Sequence, residues 1–143
     1  MIFEKTITIK APVYVVWEVM RHVESWSEWT PTITSIEKLT SGPLREGSYL
    51  RIQQPKLQEA TWKVFKLEDY KGFSMCKGNF FLKVVLGHEL QQTENGTRVL
   101  LSVSFSGLLA KPVGKRYGPM MEDYLAAEAN GLKKRSESAV LSA

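Results

Sequence analysis

Few residues in this chain have the chemistry to act on a substrate, and their spacing limits what they can do. There are two histidines, His22 and His88, 66 positions apart, and one cysteine, Cys76. No Cys-x-x-Cys or His-x-x-x-His pair is present, so no metal site is expected. No Gly-rich phosphate loop occurs, and no Gly-x-Ser-x-Gly elbow marks a nucleophilic serine. Cys76 lies between Met75 and Lys77 in a strand-like run. It reads as a packed thiol, since a nucleophile would need His22 or His88 beside it. A single cysteine also forbids an intrachain disulfide.

His88 is the candidate with the most chemistry. Leu90 falls in the apolar register of its strand, so period 2 puts Val84, Leu86 and His88 on the same inner face. A histidine on an apolar wall is either hydrogen-bonded in place or addresses a ligand, and acid–base work needs a partner in reach. No inward Asp or Glu pair can be read from the pattern. Glu128 falls near the inner stripe of the last helix, but reads equally well as an edge residue paired to a surface cation. His88 is therefore expected to be structural or ligand-orienting; as a catalytic group it is only a weak candidate. Catalysis by paired carboxylates has no support.

The remaining candidates are apolar. Leu50 and Ile52 share one strand face, Ala60, Trp62 and Val64 another, and Val99, Leu101, Val103 and Phe105 a third. Tyr117, Met120, Met121 and Tyr124 recur at helical spacing. Methionines adapt to irregular shapes and tyrosines carry a polar tip on an apolar body, a mix that suits a pocket for a mainly apolar molecule. The expected ligand-lining set is Leu50, Ile52, Trp62, Met75, Leu86, His88, Phe105, Tyr117, Met120, Met121 and Tyr124. An ordinary packed seam is the alternative for each stripe. Phe80-Phe81, beside Gly78-Asn79, read as a lip at the cavity mouth or as one side chain in and one out. Trp26 and Trp29 read as structural, and Lys133-Lys134-Arg135 as a solvated helix end.

The elements that must position these residues follow from periodicity. Phe3 to Ile9 alternates apolar with polar, the mark of a half-buried strand. Pro12 suits the first helical position, and Val13, Val16, Trp17 and Met20 make one helix face. A second short helix ends before Pro31. Six strand-like runs follow: 33–39, 48–54, 57–68, 72–77, 82–93 and 97–106. Their short separators imply an antiparallel meander. Asn95-Gly96 predicts a type I′ hairpin turn. After Gly107 the period turns helical across roughly 110–137, with a kink or break expected at Gly118-Pro119. The fold class is α+β: a seven-stranded antiparallel sheet, a long C-terminal helix and two short helices after strand 1.

Size and composition bound the rest. The chain has 143 residues, 43% of them apolar and 24% charged, with 19 basic and 15 acidic side chains. That is one domain's worth of chain, 1–143, with enough apolar residues for a core. The net charge of +4 is spread along the chain. No nucleic-acid partner is expected, because that would need a concentrated basic face. The longest charge-free apolar run, 99–110, is too short to span a bilayer and is broken by serines. The N-terminus lacks the apolar core of a secretory signal, so a cytoplasmic location is expected.

The order of these residues resembles a known superfamily. Ile7-Thr8-Ile9-Lys10-Ala11-Pro12 is followed by Val16-Trp17, then Trp26, Trp29 and Pro31. Gly47 precedes the third strand, His88 lies in the penultimate strand, and Gly96-Thr97-Arg98 opens the last. Gly107 precedes the long helix, which ends in Gly131-Leu132-Lys133 and Glu137. The chain is similar to START-like, Bet v 1-like (SRPBCC) domains of the polyketide cyclase/dehydrase type. The resemblance implies a helix-grip fold, the sheet wrapping the long helix around a cavity. It does not imply one reaction. Binding of a small hydrophobic molecule, lipid-like, polyketide-like or aromatic, is the first expectation, with no cofactor. A cyclase/dehydratase-like enzyme using a pocket His or Tyr is the alternative. A protein-interaction module with a protein partner is the third.

Overall fold

A computed structural model describes residues 1–142. Strand β1 (Ile2–Ile9) leads into α1 (Val13–Arg21) and a 3-10 helix over Val23–Glu28. Strands β2 (Ser35–Lys38), β3 (Tyr49–Gln53), β4 (Ala60–Glu68), β5 (Gly72–Gly78), β6 (Lys83–Thr93) and β7 (Gly96–Ser106) follow. The chain ends in α2, a 33-residue helix over Ala110–Ser142. The seven strands form one sheet in the order β1-β7-β6-β5-β4-β3-β2. Every pairing is antiparallel, as short turns require.

The alternation seen in the sequence decides which face is covered. Along β7, Thr97, Val99, Leu101, Val103 and Phe105 are buried, while the residues between them are not. On α1 the buried residues are Val16, Trp17 and Met20, the face that helical spacing selects. The register shifts between Val64 and Lys66, an irregularity of the kind that bends a strand. Among the described residues no helix is long and apolar enough to cross a membrane.

Two local expectations need correction. The β6–β7 hairpin forms, but its central residues are Glu94 and Asn95, because Thr93 pairs with Gly96. Asn95 is not left-handed; the positive φ falls on Gly96 alone, at +141°. The turn is thus not type I′. Gly96 is required because a Cβ there would lie 2.1 Å from the Ile9 carbonyl oxygen. Of the kink or break expected at Gly118-Pro119, the break does not occur: α2 runs through Pro119 as one helix. The ring removes one helical hydrogen bond, but α2 packs on β1, which favours the continuous helix. Gly114 and Gly118 let the helix approach Met1 and Phe3; a Cβ at 118 would come within 2.9 Å of the Phe3 ring.

Candidate functional site

A cavity of about 570 Å³ lies between the inner face of the sheet and α2. That is within the size range of small-molecule sites and far above an ordinary packing void. Its sheet wall is made by Ile52, Trp62, Met75, Val84, Leu86, Leu101, Val103 and Phe105, all inward by period 2. The helix wall is Val113, Tyr117, Met121, Tyr124, Leu125 and Glu128, one stripe by helical counting. The β3–β4 loop adds Gln54, Lys56, Leu57 and Gln58.

One end of the cavity is polar. His88 is 4% exposed. Its ring stacks on Phe73 at 4.4 Å and 10°, with Trp26 at 5.3 Å on a tilted plane. The Trp26 indole N–H donates to the Met20 carbonyl at 2.9 Å, which fixes that wall. His88 Nδ1 lies 3.3 Å from the Phe73 carbonyl oxygen. A carbonyl only accepts, so Nδ1 carries the proton. Nε2 then faces Glu128 Oε1 at 3.4 Å. The two form an ion pair only when the ring is protonated. The carboxylate that the sequence pattern failed to supply is therefore present. Glu128 does not sit at the helix edge against a surface cation. Its side chain is 15% exposed and turned inward.

The other polar groups are spread along the wall. The Tyr124 hydroxyl donates to the Pro55 carbonyl, tying α2 to the β3–β4 loop, and burial pushes its phenol above the usual value. Lys77 stands over the Trp62 ring at 5.0 Å. Burial lowers its ammonium below the usual lysine value. Among the described residues no three His, Cys, Asp or Glu converge to hold a metal ion.

Comparison with known proteins places this geometry. Residues 1–137 match the family model described as polyketide cyclase / dehydrase and lipid transport. The chain belongs to this family. No curated protein matches the sequence significantly. Among solved structures, TTHA0849 from Thermus thermophilus is similar with a TM-score of 0.77 at 15% identity, over 97% of this chain and 99% of that one. The Zhui aromatase/cyclase from Streptomyces sp. R1128 is similar with a TM-score of 0.74 at 18% identity, over 98% and 95%. Ara h 8.0201 is similar with a TM-score of 0.69 at 18% identity, over 100% and 99%. These likenesses establish the START-like, Bet v 1-like helix-grip fold that the family shares.

Within that fold, nine residues expected from the sequence face the cavity: Ile52, Trp62, Met75, Leu86, His88, Phe105, Tyr117, Met121 and Tyr124. Leu50 and Met120 do not. Leu50 is fully buried between Lys38 and Trp62 in the strand register, in solid core. Met120 is half-buried on the flank of the helix stripe. Phe80 and Phe81 are 77% and 55% exposed and neither lines the wall; Leu82 does. The Phe81 carbonyl instead accepts from the Leu109 N–H, pinning the turn to the start of α2. Cys76, opposite Lys63 and Val85 in the ladder, falls on the sheet face away from Met75. His22 is exposed, its Nδ1 2.7 Å from the Glu18 carbonyl oxygen. The basic helix end is paired as well as solvated: Lys133 with Glu137, Arg135 with Glu28. Sequence reasoning misses the loop residues Gln54, Lys56, Leu57 and Gln58 altogether, and with them three residues that bear on the chemistry. Trp26 reads there as structural only. Glu128 reads either way, although it continues the stripe of Tyr117, Met121 and Tyr124. Lys77 shares the parity of Phe73 and Met75, a signal the sequence does carry.

Proposed function

We propose that this protein binds a small, mainly apolar molecule in the cavity, oriented by polar groups at its ends. The observation that carries this reading is the cavity itself: an apolar wall on sheet and helix, with His88 and Glu128 at one pole. A packed seam would have removed the reading. The half-buried free thiol of Cys76 suits a reducing compartment, and we place the protein in the cytoplasm. The test is native mass spectrometry with solvent extraction of the purified protein, alongside Leu86→Trp. Wild type should carry or take up an apolar ligand, and the tryptophan should fill the wall and abolish uptake while the fold persists. Equal uptake by both proteins refutes the assignment of the site.

A second reading is favoured by one specific contact, the 3.4 Å approach of His88 Nε2 to Glu128 Oε1. An imidazole and a carboxylate so placed are the groups that could exchange a proton with a substrate in the cavity. This would serve a cyclase/dehydratase-like reaction, in keeping with the family description, with the cavity supplying proximity; the similar Zhui protein is an aromatase/cyclase. His88→Gln should then lower turnover by roughly 10²–10⁴-fold while leaving binding in place. Unchanged turnover excludes it.

A further inference from the structure

Lys77 is the feature that neither reading uses. It closes the inner face of β5 two residues beyond Met75, lines the cavity, and is only half-buried. Among the described residues its ammonium has no ion pair, and its one close contact is the face of Trp62. A cation–π contact stabilises an ammonium but supplies no acceptor for its N–H groups. The only carboxylate on the described cavity wall is Glu128, and it is engaged with His88. The second cation on the wall, Lys56, lies in the loop and is exposed, so water screens it. The described wall therefore holds more positive than negative charge. Its least hydrated unpaired charge is the Lys77 ammonium.

The two poles are separated along the sheet. Lys77 pairs with Val84, and His88 stands four residues further along β6. That is about 13 Å of strand. Leu86 occupies the inward position between Val84 and His88. We infer that the ligand is an elongated amphipathic acid, its carboxylate paired with Lys77 and its apolar body running along β6 toward His88 and Glu128. The inference rests on the binding reading and names its ligand class. A carboxylate would give the ammonium the acceptor it lacks, in a setting where a charged hydrogen bond is worth more than in water.

The test uses N-phenyl-1-naphthylamine, a neutral fluorescent dye, as a reporter of the apolar cavity. Decanoate and decanamide, equal in length and differing in charge, are titrated as competitors. In the wild type, decanoate should displace the dye at a concentration at least about tenfold lower than decanamide. In Lys77→Met, which keeps an apolar stem over Trp62, the preference, taken as the ratio of the two competitors' constants after the dye's own affinity for that variant is measured, should vanish. Lys77→Gln should behave alike, so that a single misfolded variant cannot decide the outcome. Lys56→Gln should keep the preference. If the two competitors are equal in the wild type, or the preference survives Lys77→Met, or Lys56→Gln alone removes it, the assignment to Lys77 is overturned. If the dye fails to enter the wild type at all, the binding reading falls and this inference with it.

Discussion

The His88–Glu128 pair is open to a direct energetic test. Glu128→Leu removes the carboxylate and leaves Nε2 unpaired beside Phe73 and Trp26. An unsatisfied buried polar group costs about 1–3 kcal/mol. The full 3–5 kcal/mol of a broken, sealed ion pair does not apply. The site opens on a cavity that can hold water, and Glu128 keeps some exposure. The expected loss is thus about 1–2 kcal/mol. His88→Phe fits the stacked slot, but strands Glu128 at similar cost. The double variant has no stranded group and should lose less than the sum of the singles, by about 1–2 kcal/mol. Urea unfolding at constant m-value measures all four proteins. If the two losses add within about 0.3 kcal/mol, the residues are not coupled and share no proton.

Further outcomes follow from the same geometry. Gly96→Ala should destabilise by about 1–3 kcal/mol for the left-handed backbone alone, and more for the clash with Ile9; thermal melting checks this. Glu137 is held below the usual carboxylate value first by the Lys133 side chain and then by the Lys10 backbone N–H. A lowered carboxyl contributes stability above its ordinary value of about 4.5 and loses it as pH falls below that. Glu137→Gln should cost about 0.5–1 kcal/mol at neutral pH and flatten stability against pH on the acid side of 4.5. An unchanged acid limb would show that the tie between α2 and the end of β1 contributes nothing.

The sheet and the long helix are legible because their signals repeat: period 2 over seven runs, period 3.6 after Gly107. Single-residue features are less so. At the hairpin, Asn95-Gly96 names the right place, but the turn shifts by one, since the contact with Ile9 demands glycine at the strand's first residue. Pro119 carries a correct local cost that tertiary packing overrides. Six cavity residues follow from strand parity and three from helical spacing, but parity cannot separate Leu50 from Ile52. Both face inward and both are buried, and only the three-dimensional packing around β3 decides which of them borders the cavity. Glu128 is ambiguous for the opposite reason. A charged side chain on an inner stripe reads as an edge residue until its partner, 40 positions earlier in the chain, is known to face it.

The path of α2 explains why the protein is hollow. The helix packs on β1 and β7, and on α1, with no comparable contact to β3, β4 or β5. Its close approach is made by Gly114 and Gly118 against Met1 and Phe3, and by Gly131 against the Trp29 backbone. Glu137 ties the far end to Lys10. The helix is thus clamped over one edge of a sheet that curves away from it. The middle strands face a gap that Tyr117 and Tyr124 line without filling. Stability is carried at the clamp and by the solid core of Val16, Trp17, Met20 and Leu132. The cavity wall is free to carry Lys77, His88 and Glu128, polar groups that a packed seam would exclude. It follows that wall substitutions such as Leu86→Trp can change occupancy without undoing the docking of α2, whereas enlarging Gly118 forces the Phe3 ring, 2.9 Å away, to shift.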